Sequence, residues 1–119
     1  MPETNWRVFY YVRHDDRCPI EEFLDNLQPE EQVRTNWHID RLEEMGPGLP
    51  PQWAHHLDDG IFELRIRCRS VRLRVLYFQD GSRFVLTHGF KKKTGAVPQS
   101  EIDRAFDSRR DYFAGKKET

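Results

Sequence analysis

The stretch "IFELRIRCRSVRLRVLYFQDGSRFVLTHGF", Ile61 to Phe90, decides the fold of this 119-residue chain. Apolar and polar residues alternate through it with a period of two, the pattern of strands that bury one face. In its first segment Phe62, Leu64, Ile66 and Cys68 fall on one face, and Glu63, Arg65, Arg67 and Arg69 on the other. In the second, Val71, Leu73, Val75 and Tyr77 oppose Arg72, Arg74, Leu76 and Phe78. Asp80-Gly81 is a tight-hairpin signal, and "RFVLTHGF" follows as a third strand in which His88 alternates with Leu86 and Phe90. The spacing predicts an antiparallel meander with an apolar face and an arginine face.

Upstream, "WRVFYYVR" is aromatic and β-branched and reads as another strand. In "PIEEFLDNL", Ile20, Phe23, Leu24 and Leu27 stand at i, i+3, i+4 and i+7 behind Pro19, the pattern of a short amphipathic helix. A second helix starts at Pro29-Glu30-Glu31, where the carboxylates suit the positive end of the helix dipole, and should run to about Met45 before Gly46-Pro47. The short connection makes the two a helical hairpin, and "GPGLPPQ" reads as a loop. Downstream, Ser100 reads as the cap of a last helix, with Asp103 near the capping-box position. Ile102, Ala105, Phe106, Arg109 and Phe113 form its stripe, Gly115 its stop, and "KKET" a disordered end. The expectation is one α+β domain over residues 1–119 in the order β-α-α-β-β-β-α.

No apolar run approaches the length of a membrane span, and the start "MPETNWRVFY" has no signal-peptide core, so a cytoplasmic location is expected. Cys18 and Cys68 are too few for a disulfide framework; Cys68 reads as a small core residue and Cys18 as incidental. The net charge of −1 hides an asymmetry. Residues 1–60 carry five basic and thirteen acidic side chains, residues 61–93 nine basic and two acidic, and the remainder five of each. A cationic block of that kind points to a phosphate-rich or acidic partner.

Glu63 can pair with one arginine, which leaves the others on that face repelling one another without an anion to offset them. Lys91, Lys92 and Lys93 extend the patch into a corner, and three consecutive side chains cannot all point one way. His88 reads as hydrogen-bonded structure or as a catalytic group. His55 and His56, adjacent on an extended segment, point apart with no third ligand at useful spacing, so no metal is expected. No glycine-rich phosphate loop, nucleophile elbow or CxxC occurs.

The succession "W..HLDDGIFELRIR", "RLRVLYF" and "LTHGFKKKTGAVPQSEIDRAFDSRRDYF" resembles the RelE/HigB superfamily of bacterial toxins, closest to its phage-derived Gp49-like (HigB-type) branch. The resemblance covers about Trp53 to Phe113 in detail. It implies a RelE/ParE-like fold: a small antiparallel sheet with the helical hairpin on one face and a basic cleft on the other. It also implies a ribosome-dependent, metal- and cofactor-independent mRNA endonuclease neutralised by a helix-turn-helix (HigA-type) antitoxin. Arg74 matches the family position at the scissile phosphate, with Arg65 beside it as a second clamp. The general acid and base stay open among His88, Lys91, Lys92 and Tyr112, because the His-Tyr pair of better-studied branches is missing. Arg67, Arg72, Lys93 and Tyr112 are expected to contact RNA. The rival readings are a ParE-like inhibitor of DNA gyrase and an inactive phage-derived binding or regulatory module.

Overall fold

The computed structural model describes residues 5–93 and 95–116. A strand β1 (Arg7–Tyr10) leads to helices α1 (Pro19–Asp25) and α2 (Pro29–Met45) and a 3₁₀ turn (Gly46–Gly48). Strands β2 (Ala54–Asp58), β3 (Ile61–Cys68), β4 (Val71–Asp80) and β5 (Arg83–Lys92) follow, and helix α3 (Gln99–Lys116) comes last. The five strands form one sheet in the order β1-β5-β4-β3-β2. The meander β3-β4-β5 and the α1-α2 hairpin are as expected, and the α+β class holds.

Four local readings are corrected. The sheet is mixed, because β1 pairs parallel with β5 at the edge. A further strand, β2, pairs antiparallel with β3 through the tight turn Asp59-Gly60, both residues of which have positive φ. "AHHLD" has little intrinsic strand preference, and β2 exists because β3 offers it an edge to bond to. Ser100 lies inside α3 rather than capping it: the helix starts at Gln99, and the Pro98 carbonyl accepts the Glu101 N–H at 3.0 Å. Gly115 does not stop that helix, which takes in Lys116, the first residue of the expected disordered end; 117–119 fall outside the described residues.

Each sheet face is buried differently. Leu64, Ile66, Leu73, Val75, Tyr77, Phe84 and Leu86 pack against Ile20 and Leu24 of α1 and Ile39 and Leu42 of α2. Both cysteines are buried on this side, so Cys18 is part of the core rather than incidental. The opposite face carries Ile61, Leu76, Phe78 and Val85, covered by Ala105, Phe106, Tyr112 and Phe113 of α3. Helix α3 therefore covers one end of that face and leaves the end with the arginines open.

A bulge in β5 sets the faces near the corner. Leu76 pairs with His88 and Tyr77 with Leu86, so Thr87 is an extra residue whose hydroxyl donates to the Leu76 carbonyl at 3.2 Å. Leu86 consequently faces the helical hairpin, while His88 shares the other face with Phe90. Beyond the bulge Gly89 lies directly under the Phe23 ring of α1, and a Cβ there would clash with the ring. Gly89→Ala should destabilise the fold by about 1–3 kcal/mol, the usual range for overpacking. A urea-unfolding midpoint equal to wild type would show that Phe23 swings aside without cost.

Candidate functional site

The open end of the α3 face is built from three strands whose registers line up cations. Arg65 stands opposite Arg74, and Arg74 opposite Phe90; one step along, Arg67 stands opposite Arg72, and Arg72 opposite Lys92. Directly opposed side chains in a sheet have Cβ atoms about 4.5–5.5 Å apart, so like charges there destabilise the pair.

Glu63 relieves one of these rows. Only 2 % exposed, it places Oε1 2.9 Å from Arg74 Nε and Oε2 3.0 Å from an Arg65 terminal nitrogen, with His55 Nδ1 at 3.5 Å. Arg65 Nε–H also donates to Oε2 at 3.1 Å. The carboxylate therefore serves two guanidinium groups, not the one that sequence alone suggested. The Arg74 contact is an ion pair without an aligned hydrogen bond, and both Arg74 Nε and Glu63 Oε1 are buried with no other partner among the described residues. Arg74 Nη1 donates to the Leu73 carbonyl at 3.0 Å. At 9 % exposure, burial pulls the Arg74 guanidinium below its ordinary pKa, opposed by Glu63 and reinforced by Arg65 and Arg72. An arginine nevertheless stays charged at neutral pH.

The second row has no such relief. Among the described residues Arg67, Arg72 and Lys92 have no carboxylate partner; Arg67 Nε donates only to the Arg69 carbonyl, at 3.4 Å. Arg69 itself, expected on the arginine face, sits in the β3-β4 turn with φ 57° and pairs with Glu30 of α2.

The other candidates separate. Lys91 stands opposite Leu73 on the hairpin face, its Nζ 3.5 Å from Glu31, and does not share the arginine face. All three lysines, Lys91 included, border a corner cavity of about 290 Å³ with Phe90, Pro98 and Glu101. His88 is 1 % exposed, with Nδ1 3.0 Å from Thr87 Oγ1 and Nε2 3.0 Å from Glu101 Oε1. Burial, aided by Arg104, pushes its pKa down to about 3. It is a buried, doubly engaged imidazole that reaches the corner only through Glu101. Tyr112 donates to Asp80 at 2.8 Å and packs its ring against Phe78, four residues along β4 from Arg74. The α3 stripe carries it to the covered end of the face, away from the cations.

Over residues 22–110 the sequence matches the model of the family described as Phage derived protein Gp49-like (DUF891). The chain belongs to that Gp49-like family. No match is found among curated proteins. The Gp49-like chain's three helices on a five-stranded mixed sheet agree with a RelE-like fold.

Several residues of the Gp49-like site escape sequence reading. Arg34 and His38 of α2, with Gln52 and Trp53 before β2, wall a groove of about 370 Å³ that continues onto Arg65, Arg67, Arg72 and Arg74. Glu31, Thr35 and His38 form a buried polar line within α2, and their i, i+4, i+7 spacing was the available signal. His38 is 5 % exposed, and burial, with help from Arg34, lowers its pKa to about 4. Because the unfolded chain takes up the proton near pH 6.5 and the folded one near 4, stability is full above that window and falls as pH drops through it. Acidification from pH 6.5 to 4 should cost about 1–3 kcal/mol through this one residue, and His38→Gln should flatten that part of the stability–pH curve. An unchanged slope in a folded His38→Gln protein would assign the loss to His88 or other groups.

Proposed function

We propose that this protein is the toxin of a type II toxin–antitoxin pair, an endoribonuclease that cuts mRNA on the ribosome and is neutralised by a helix-turn-helix antitoxin. The observation that carries this reading is the pair of guanidinium forks, Arg65 and Arg74, ion-paired to Glu63 on an open sheet face beside the row Arg67, Arg72 and Lys92, which has no carboxylate partner among the described residues. Membership of the Gp49-like family supports it at a coarser level, through the resemblance of that branch to RelE/HigB toxins.

In the proposed reaction the 2′-oxygen of one nucleotide attacks the adjacent phosphorus and the bond to the 5′-oxygen breaks, leaving a 2′,3′-cyclic phosphate and a 5′-hydroxyl. One proton leaves the 2′-hydroxyl and one reaches the 5′-oxygen. Negative charge grows on the non-bridging oxygens, and donors fixed in advance around that charge are usually the largest catalytic contribution. Arg74 and Arg65 supply such donors, and Glu63 limits their motion before substrate arrives. Lys92 is the cation on the same face that can deliver the proton to the 5′-oxygen. His88 acts as a positioning residue for Glu101, and Lys93 meets the RNA backbone at the corner.

The test is inducible expression in a bacterium with primer extension on a reporter mRNA. Growth arrest with new translation-dependent cuts, lost in Lys92→Ala, supports the reading. Arrest without cuts would redirect it to a protein target such as gyrase, and no arrest would favour a module that only binds.

A further inference from the structure

The groove beside α2 is chemically unlike the phosphate face it joins. Strand β2 follows β3 only as far as the Trp53 carbonyl, which accepts the Arg65 N–H at 2.7 Å; among the described residues Ile66 to Cys68 then have no strand neighbour on that side. The gap is walled by rings. Trp53 lies edge-to-face with His38 and Trp37, each pair of centroids 5.3 Å apart, and Trp37 is 41 % exposed. The His38 Nδ1 is buried and has no hydrogen-bond partner among the described residues. Among the described residues Arg34, Arg67 and Arg72 around the same groove have no carboxylate partner.

We propose that this groove is a nucleotide subsite next to the scissile-phosphate clamp, in which one base of a single RNA strand rests on Trp53 with its edge toward His38 while Arg67 and Arg72 hold its phosphate. This inference rests on the RNA reading of the function. A lone phosphate would use the guanidinium groups but leave the ring wall and the unpaired imidazole nitrogen idle. An acidic protein segment would do the same. A nucleotide uses all three: charge for phosphate, aromatic surface for the base, and a hydrogen-bonding group for its edge. His38 thereby becomes a specificity-determining residue, since an imidazole nitrogen distinguishes bases by where their donors and acceptors lie.

The test uses the full chain and four fluorescein-labelled 2′-O-methyl RNA hexamers, of A, C, G or U, followed by anisotropy. Blocking the 2′-oxygen prevents cleavage, so binding is read independently of the proposed reaction. Trp53→Leu should weaken binding by about 5- to 100-fold, the effect of losing one stacked base, and Trp53→Phe should restore most of it. His38→Gln should change the ranking of the four hexamers. Matched thermal melts show that the variants are folded, and Trp53→Phe keeps the test valid if the leucine variant is not. Wild-type protein that ignores the hexamers, a Trp53→Leu protein that binds them equally well, or an unchanged ranking in His38→Gln would each overturn the subsite. Hexaglutamate that competes with the same dependence on Trp53 would replace the nucleotide with an acidic protein segment. Trp53-dependent binding without any mRNA cutting in cells would leave the subsite standing and remove the nuclease.

Discussion

Arg74→Lys is expected to lower mRNA cleavage by about 10²–10³-fold while leaving the protein folded, the effect of removing one preorganised donor from a developing oxyanion. The substitution keeps the charge and an ion-pair partner for Glu63, but replaces a planar fork by a single ammonium that cannot grip two phosphate oxygens at once. Arg74→Ala is the less informative variant. Arg74 is buried and shares Glu63 with Arg65, so its truncation leaves the carboxylate with one guanidinium fewer and costs stability as well as chemistry. Primer-extension band intensity, measured beside a circular-dichroism melt, separates the two effects. A folded Arg74→Lys protein that cuts at the wild-type rate would remove Arg74 from the clamp.

Glu63→Ala should destabilise the protein by about 3–5 kcal/mol, the cost of leaving a buried charge without its counter-ion. Arg74 is the charge at issue, because Arg65 can turn to water while Arg74 is enclosed between β3 and β5. Glu63→Gln should cost less, since an amide oxygen still accepts hydrogen bonds, and its functional consequences should divide. Removing a negative charge from the cleft should tighten binding of the 2′-O-methyl hexamers, while the loosened forks should slow cleavage. A urea titration gives the first quantity, and anisotropy with primer extension the other two. If Glu63→Ala were as stable as wild type, the carboxylate would be a bystander and the forks would be held by the strands alone.

The Glu63 pair also shows where sequence reading stops. Period-two alternation in "FELRIRC" and "VRLRVLYF" puts Glu63, Arg65, Arg67, Arg72 and Arg74 on one face, and the structure keeps them there. Alternation is a local property of the extended chain, so it survives without knowledge of neighbours. Which arginine meets the carboxylate depends on register between strands, and register is set by turns and bulges. The Thr87 bulge shows the same limit more sharply: "LTHGF" alternates on paper, yet one unpaired residue moves His88 to the face opposite Leu86. Strand β2 was partly legible, because its turn Asp59-Gly60 carries the same Asp-Gly signal that was read at Asp80-Gly81.

The sequence by itself determined the α+β class, the helical hairpin, the meander, the concentration of cations in residues 61–93 and the family to which the chain belongs. The first four follow from periodicity, turn signals and composition, carried by residues near one another in the chain, and the family from the succession of motifs between Trp53 and Phe113 and the match over residues 22–110. Only the tertiary structure decided that Lys92, and not Lys91, faces the arginines across the sheet, that Tyr112 packs on Phe78 and bonds Asp80 at the far end of β4, and that Arg34, His38 and Trp53 wall a groove at their side. Those placements bring together residues from helix, loop and strand tens of positions apart, and the physical reason is packing: α3 covers one end of the sheet and α2 meets the edge of β3 where β2 ends.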